Sequence, residues 1–492
     1  MASKEIISAI QSYENFINQH GISEEVIEAY CQAAQAAIIG EKDTEYGLKV
    51  SARAKELIEK FVLKLTGADI WELDSYANQN KISYDILNEY YDVLKLEAPH
   101  LFHSYLLYLE KNREESERFY SPKMQQLNKH GLIQAMQDLE DDKLDILSIS
   151  MPPGTQKTTL EKFFCSWIIG RHPKDYSLFF SHSDDITRMF YDGVLDITTN
   201  YEEYTWGEIF PDVKLQNTDA KRQRINFDKK KTYANIQCTS VGSKNAGKVR
   251  CNRYLYCDDL IGGIEEALNK RTLDKLWRIY GTDARQRKLN EKVKEIHIAT
   301  RWSVHDVIGR LKQIYAGNKR ARFIAIPDID PATGESNFNY KYNGMSIEFF
   351  HDQELAMDEI SYKCLYKNEP IEREGLLYHE DDIRRFISMP IREPDAILGI
   401  CDVKNKGTDF MFLPCMYQYV TIIRTMACSM SDCQISLWNI ICSNANLKAI
   451  PAEIEFHMKL ISEWKKKAAG VILRTSLQRQ TRKRELLSMQ IG

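Results

Sequence analysis

The first 120 residues carry apolar side chains at helical spacing. Apolar positions recur at intervals of three and four residues, for example within residues 6–13 and 57–62, with breaks at Gly21 and Gly67. This periodicity is typical of amphipathic helices that end at glycine. The pattern predicts several short helices in this region, and no residue cluster there indicates chemistry.

From Asp145 onward, short apolar runs are followed by turns and helical segments. The runs are DILSIS, YSLFFSHS, RYLYCDDL and EIHIATRW. Strands that alternate with helices predict an α/β domain with a mainly parallel sheet. A proline-bearing connection at residues 389–397 precedes a new apolar run. We therefore predict a helical region at 1–120, an α/β domain at 121–388 and a further domain at 389–492.

Composition and charge narrow the class of protein. The chain has 492 residues, of which 43% are hydrophobic, enough to bury a core in about three domains. Its 66 basic and 70 acidic residues nearly cancel, so any nucleic-acid contact must come from local patches. Apolar stretches fall short of the roughly 20 residues that cross a bilayer, and the N-terminus does not resemble a signal peptide. We expect a cytoplasmic protein without membrane association.

The cysteines do not follow metal-binding spacing. The chain has 11 of them, and Cys165, Cys257 and Cys401 lie within apolar runs. This distribution favours buried free thiols over disulfides or a zinc site.

Residues 151–160, MPPGTQKTTL, follow an apolar run and begin a helical segment. A phosphate-binding loop needs backbone N–H groups at a helix N-terminus, a lysine for the terminal phosphates and a hydroxyl for Mg²⁺. Lys157 and Thr158 or Thr159 match the last two requirements. The standard G-x-x-x-x-G-K-[ST] string is not met, because Gln156 precedes the lysine. Taken alone, the segment fits a phosphate-binding loop and a proline-rich strand-to-helix turn with an exposed lysine equally well.

Two further strands end in candidate catalytic groups. The run RYLYCDDL ends in Asp258 and Asp259, an arrangement in which one acid holds Mg²⁺ and the next polarises the attacking water. A solvated strand end is the alternative. The run EIHIATRW leads through Arg301 into an amphipathic helix. Arg301 is a candidate to sense phosphate charge, and an ordinary loop arginine is the alternative.

Six segments together resemble one protein family. PPGTQKTT, SHSDDITRMFYDGV, YTWGEIFPDVKLQ, YLYCDDLI, ATRWSVHDVIGRL and NEPIEREGLLY, in this order, resemble the large terminase subunit of tailed bacteriophages, the motor that packages DNA into the procapsid. The resemblance extends from about residue 102 to residue 419. It implies a P-loop ATPase of the additional-strand type followed by a ribonuclease H-like nuclease.

The resemblance also implies roles for individual residues. It places ATP against the loop residues Gly154, Thr155, Gln156, Lys157, Thr158 and Thr159. Thr158 and Asp258 are implied to hold Mg²⁺, and Asp259 to be the catalytic carboxylate. Thr300 and Arg301 are implied to couple hydrolysis to movement. The implied partners are double-stranded DNA, a portal protein, a small terminase subunit and further copies in a ring. The implied location is the host cytoplasm, transiently at the portal vertex of the procapsid.

The loop departs from the family pattern at two positions. Gly154 stands where many terminases have an arginine, so Arg301 or an arginine of a neighbouring subunit would have to supply the charge. Gln156 stands in place of a glycine, whose lack of a side chain lets the backbone approach the phosphates. We expect the glutamine to weaken nucleotide binding or abolish turnover.

Two basic segments are candidate DNA contacts. Residues 229–231 are three lysines between alternating runs, which predicts a solvated hairpin tip. Lys244, Lys248 and Arg250 lie in a glycine-containing segment ahead of the acidic strand. Such a segment suits contacts to backbone phosphates without sequence preference.

The region after residue 389 contains part of a nuclease pattern. Asp402 and Asp409 lie between two apolar runs, where carboxylates of a two-metal nuclease would bind Mg²⁺ or Mn²⁺. A pair of turn aspartates is the alternative. Beyond Tyr419 the resemblance stops, and Lys465 stands where the family has a metal-binding glutamate. We predict that the nuclease is inactive.

The sequence leaves two other functions open. One is a P-loop helicase or translocase that acts on host nucleic acid. The other is a non-catalytic terminase remnant that binds DNA or packaging partners without turnover.

Overall fold

The computed structural model divides the chain into two compact units, Met1–Leu376 and Leu377–Gly492, which are described separately. The residues that the structure describes are 3–67, 73–79, 81–228, 232–243, 249–267 and 269–370, together with the strand backbone at 396–399, 411–419 and 422–430. The predicted domain limits at residues 120 and 388 stay predictions.

The helices predicted for the first 120 residues are present. They are α1 (Lys4–His20), α2 (Glu24–Gln35), α3 (Thr44–Thr66), α4 (Leu73–Asn78), α5 (Tyr84–Glu97) and α6 (Phe102–Leu109). Side chains cap the N-termini of α1 and α3: Ser3 accepts from the Ile6 N–H, and Asp43 accepts from the Tyr46 N–H. The predicted break at Gly67 is confirmed, since its φ of 70° ends α3 in the left-handed conformation that favours glycine.

An eight-stranded sheet forms the centre of the first unit. Its strands are β1 (Ile146–Ser150), β2 (Ser177–Ser181), β3 (Leu215–Asp219), β4 (Arg224–Phe227), β5 (Ile236–Ser240), β6 (Tyr254–Asp258), β7 (Lys294–Ala299) and β8 (Ala321–Ala325). The order is β3-β4-β5-β2-β6-β7-β1-β8, parallel except where β4 pairs with β3 and β5. The four runs identified in the sequence form β1, β2, β6 and β7, and those strands are almost entirely buried, as expected of a parallel sheet covered on both faces.

The strand order confirms the predicted fold class. In a P-loop NTPase of the additional-strand type, one strand separates the phosphate-loop strand from the acidic strand. Here β7 lies between β1 and β6 and is parallel to both. The carboxyl ends of the three strands therefore meet at one edge of the sheet.

Further helices pack around this sheet. They are α7 (Leu132–Glu140), α8 (Lys157–Arg171), α9 (Asp184–Thr199), α10 (Trp206–Ile209), α11 (Ile264–Ala267), α12 (Lys270–Ile279), α13 (Val307–Ile314), α14 (Ile347–Ala356) and α15 (Glu359–Leu365). None of the described helices is long and apolar enough to cross a bilayer.

Helix α8 joins the N-terminal helices to the sheet through aromatic packing. Phe164 meets Phe102 edge-on at 5.1 Å between ring centroids, and meets Tyr254 of β6 edge-on at 5.4 Å. The Trp167 indole N–H donates to the Ala98 carbonyl oxygen at 2.8 Å. One hydrophobic core thus includes the N-terminal helices, α8 and the sheet.

The cysteine prediction is confirmed for the described residues. Cys165 and Cys257 are buried free thiols, while Cys401 lies outside the described residues.

In the second unit, β9 (Ala396–Gly399), β10 (Met411–Tyr419) and β11 (Ile422–Met430) form an antiparallel sheet in the order β11-β10-β9. The two runs that flank the predicted nuclease acids are therefore adjacent antiparallel strands. Asp402 and Asp409 themselves lie outside the described residues. The ribonuclease H-like assignment stays a prediction.

We expect Phe164→Ala to lower the free energy of unfolding by about 3–5 kcal/mol, because a large fully buried ring leaves a cavity at the junction of α8, α6 and β6. Urea unfolding followed by tryptophan fluorescence measures the loss. The control is Phe16→Ala, since Phe16 is 43% exposed and should cost less than about 1 kcal/mol. Equal losses for both variants would contradict a shared core centred on α8.

Candidate nucleotide-binding site

The loop between β1 and α8 contains two residues in the left-handed conformation. Gly154 has a φ of 77° and Gln156 a φ of 62°. Glycine adopts this conformation without cost, whereas a residue with a side chain loses about 1–2 kcal/mol there. The glycine of the standard motif is thus favoured at position 156 by the backbone angle itself. Gln156 adopts the same angle and bears that cost.

The lysine of the loop reaches the end of β7. Lys157 Nζ donates to Thr300 Oγ1 at 2.7 Å and to the Pro152 carbonyl oxygen at 3.4 Å. The Thr155 hydroxyl also donates to the Pro152 oxygen, at 2.8 Å. Lys157 is only 6% exposed, and both of its acceptors are neutral oxygen atoms. The ammonium is therefore positioned within the loop with its charge available to an anion.

Thr158 and Asp258 meet between α8 and β6. The Thr158 hydroxyl donates to Asp258 Oδ2 at 2.7 Å, and Asp258 Oδ1 is buried without a hydrogen-bond partner. A hydroxyl and a carboxylate are the protein ligands that P-loop NTPases use for Mg²⁺. No cluster of three or more His, Cys, Asp or Glu side chains suited to a metal occurs among the described residues. A two-ligand set fits Mg²⁺, which usually keeps water and phosphate oxygens as its other ligands.

The electrostatics of Asp258 also fit a cation. Burial and the neighbouring Asp259 carboxylate raise the pKa of Asp258 to about 7, which the hydrogen bond from Thr158 partly opposes. An ionised Asp258 is therefore unfavourable unless a positive charge compensates it.

Asp259 has a different environment from Asp258. Its backbone has a φ of 38°, and its Oδ1 accepts from the Thr300 N–H at 3.1 Å. The Asp259 carbonyl oxygen accepts from His182 Nδ1 at 2.6 Å. His182 directly follows β2, so three strand ends hold the Asp259 backbone and carboxylate. The sequence reasoning did not single out His182, although the SHSDD segment contained it.

Thr300 and Arg301 have separate contacts. Thr300 accepts from Lys157 and donates to Asp259, so it joins the loop to the acidic pair. Arg301 is buried, and its Nε donates to Asp306 Oδ2 at 2.8 Å. A role for Arg301 in sensing phosphate charge stays a prediction, and it would require Arg301 to leave Asp306.

The HD-x-x-G part of the TRW segment has a structural explanation. Asp306 caps α13 by accepting from the Gly309 N–H at 2.7 Å. A Cβ at Gly309 would lie 2.1 Å from the Val304 carbonyl oxygen, so only glycine fits. These two residues fix the turn that holds Arg301.

Glu161 is a buried acid that the sequence reasoning missed. It lies one turn after Lys157 on α8, and neither carboxyl oxygen has a hydrogen-bond partner. Burial raises the pKa of Glu161 well above its usual value, and Asp258 and Asp259 add to the effect. The available signal was an acid at the start of the mostly apolar segment LEKFFCSWIIG.

The remaining candidates are only partly described. Thr159 lies in the first turn of α8. Arg250 is half-buried, and its Nη1 is buried without a hydrogen-bond partner. Lys244, Lys248 and the lysines at 229–231 lie outside the described residues. The strands on either side of the lysine run, β4 and β5, pair antiparallel, as the predicted hairpin requires.

The solved structures that the chain is similar to include two bacteriophage large terminases. The chain is similar to the large terminase of a thermophilic bacteriophage in complex with ADP, at 9% identity and a TM-score of 0.33, over 69% of this chain and 74% of that one. It is also similar to the HK97 bacteriophage large terminase, at 11% identity and a TM-score of 0.33, over 60% of this chain and 61% of that one. No family model and no curated protein matches.

We expect Gln156→Gly to raise the free energy of unfolding by about 1 kcal/mol, because glycine removes the cost of the left-handed angle. Gln156→Ala is the matched control, since it removes the long side chain but keeps a Cβ at the same φ. Thermal unfolding of both variants measures the difference. If alanine stabilises the protein as much as glycine does, the backbone angle is not the cause.

We expect the stability of the metal-free protein to fall as the pH rises from about 4 to 7. The raised pKa of Asp258 means that the unfolded state loses its proton first, so folding becomes less favourable across this range. Asp258→Asn should reduce this dependence, leaving the part that the raised pKa of Glu161 contributes, and should stabilise the protein relative to wild type at pH 8 but not at pH 4. The measurement is urea unfolding at both pH values with EDTA. Asp212→Asn, at an exposed site, is the control, and a pH-independent difference for Asp258→Asn would contradict the expectation.

Proposed function

We propose that the chain is an ATP-hydrolysing motor subunit of the large-terminase kind, which moves double-stranded DNA. One observation carries the ATPase part of the proposal. The hydrogen bonds Lys157–Thr300 and Thr158–Asp258 bring the loop, the acidic strand and the strand that ends in TRW into one site. The three segments are far apart in sequence, and each contains a group that phosphoryl transfer needs.

The geometry supports a distinct part for each group. The loop and the N-terminus of α8 present backbone N–H groups to the phosphates of ATP. Lys157 exchanges its neutral acceptors for the terminal phosphate oxygens. Thr158 and Asp258 would hold Mg²⁺, which would supply positive charge to neutralise the phosphates. Asp259, oriented by the Thr300 N–H, accepts a hydrogen bond from the attacking water.

The charge on the terminal phosphate needs a further cation. Gly154 offers none, and Arg301 is paired with Asp306. An arginine from a neighbouring subunit of a ring would serve, and so would Arg301 after a rearrangement. We propose further that the subunit works in a ring with a portal protein and a small terminase subunit, in the host cytoplasm and at the portal vertex. These partners and this location rest on the order of the six sequence segments that resemble the large terminase.

A second candidate is a terminase remnant that binds DNA or packaging partners without turnover. The left-handed Gln156 favours it, because a side chain stands at the phosphate loop where the motif has none. The acids predicted for the nuclease lie outside the described residues, so the loss of DNA cleavage stays a prediction.

Measurement of ATP turnover by the purified full chain distinguishes the two candidates. The motor should hydrolyse ATP in the presence of Mg²⁺ and should do so faster with double-stranded DNA. Binding of ATP or DNA without turnover would support the remnant instead.

We expect Lys157→Ala to weaken ATP binding at least tenfold, because the ammonium is the charged group of the loop. The control is Lys174→Ala, an exposed lysine beyond the end of α8. Lys162 is a poorer control, because the nearby Asp258 carboxylate acts on its charge. Isothermal titration with a non-hydrolysable ATP analogue measures the affinities, and equal losses at positions 157 and 174 would refute the assignment.

We expect Asp259→Asn to retain nucleotide binding and to lose at least a hundredfold in turnover, because the amide is not a base. Asp212→Asn serves as the control at an exposed position. Normal turnover by Asp259→Asn would show that another group activates the water.

A further inference from the structure

Helix α12 carries a stripe of exposed cations. Arg271, Lys275 and Arg278 are exposed and follow one another at intervals of four and three residues, which places them on one face. At 1.5 Å per residue the stripe is about 10 Å long. We call these three residues the α12 stripe.

The stripe cations differ from several other exposed cations in forming no ion pair with a described residue: Asp274 lies four residues before Arg278, but only its backbone carbonyl oxygen accepts from Arg278 Nε, at 3.4 Å. On α3, Lys49 pairs with Glu45 and Lys60 with Glu56, each four residues earlier. On α12, the residue four positions before Lys275 is Arg271. Within the part of the chain that the structure describes, no ion pair involves the three stripe cations.

The one acid on α12 is already engaged. Arg310 of α13 donates from Nη2 to Asp274 Oδ1 at 2.5 Å. The first turn of α12 has no acidic residue, although Arg271 lies there, at the positive end of the helix dipole. Arg271 and Lys275 also form a like-charge pair one turn apart, which is unfavourable for the isolated helix. An external polyanion would relieve both of these unfavourable interactions.

We propose that the α12 stripe binds the phosphate backbone of double-stranded DNA. This inference rests on the proposed function and deepens it, since it names the surface that the DNA contacts. Phosphates of one strand rise by about 3.4 Å each along the duplex axis, so a stripe of about 10 Å spans about three of them. The formal net charge of the chain is −4, so attraction to DNA has to come from such a local patch.

The opposite face of α12 contacts the nucleotide site. Leu273 and Leu276 pack in one cluster with Ile261, two residues after Asp259, and with Trp302, next to Arg301. A shift of either loop would therefore displace α12.

A second contact joins α12 to α13. The Arg310 guanidinium lies 5.8 Å from the Trp277 ring centroid and also pairs with Asp274. Asp306, which caps α13, is the partner of Arg301. Through these two sets of contacts the DNA surface responds to events at the nucleotide.

The test is the salt dependence of DNA binding by the full chain. Fluorescence anisotropy with a labelled 30-bp duplex in increasing KCl gives the slope of log affinity against log salt. The variant Arg271→Gln/Lys275→Gln/Arg278→Gln should reduce this slope by roughly 2 to 3, because each lost phosphate contact contributes about 0.9. It should also lose the stimulation of ATP turnover by DNA while basal turnover is unchanged.

The control is Lys49→Gln/Lys60→Gln/Lys64→Gln, which removes the same charge from exposed positions of α3. An unchanged slope in the stripe variant, or an equal reduction in the α3 variant, would overturn the inference. The inference would also be overturned if the stripe variant lost affinity only for an RNA duplex of the same length and bound the DNA duplex like wild type.

The same measurements distinguish failure of the proposed motor function from failure of the α12 stripe inference. If the wild-type chain binds DNA through the stripe but never hydrolyses ATP, the motor is refuted and the DNA surface stands. If the wild-type chain hydrolyses ATP and DNA stimulates it, but the stripe variant behaves like wild type, the inference alone is refuted.

Discussion

The burial of one carboxylate governs the rest of the candidate site. Asp258 is fully buried at the end of β6, and the Thr158 hydroxyl occupies only one of its oxygens. A buried carboxylate without a compensating charge is strongly unfavourable. Lys157 and Thr158 at the start of α8 help to compensate this carboxylate, because they bring an ammonium and a hydroxyl donor toward the end of β6. A nucleotide-bound cation would complete the arrangement.

The site contains unfavourable features that the scaffold must offset. Gln156 has a left-handed backbone, and Glu161 is buried without partners just below the loop. Such features persist only where surrounding structure holds them in place. The aromatic packing of α8 against Phe102 and Tyr254 provides that rigidity one to two turns away. The contacts that stabilise α8 thus lie beside the site, whereas the unfavourable residues lie within it.

A few polar contacts of the turn after β7 connect the phosphate loop, the acidic pair and α13. Thr300 bonds both Lys157 and Asp259, and Asp306 holds Arg301 while it caps α13. Because α13 also contacts α12 through Arg310, the same short segment lies between the nucleotide site and the α12 stripe. A change in any of these contacts would therefore alter both the candidate nucleotide site and the α12 stripe. This arrangement suits the proposed motor, in which a chemical step would be coupled to movement of DNA.

The local pattern of the sequence identified the N-terminal helices and the strands β1, β2, β6 and β7, and with them the loop, the acidic pair and the TRW segment. These features depend on short-range periodicity and on groups adjacent in the chain. The family resemblance implied a strand between β1 and β6, which periodicity alone does not predict, and only the tertiary structure decided that Arg301 pairs with Asp306 and that α12 exposes its cations. The burial of Glu161 and the φ of Gln156 were likewise beyond the sequence pattern. Strand order, desolvation and backbone angle at a turn depend on which distant segments pack together, and periodicity carries no information about such long-range contacts.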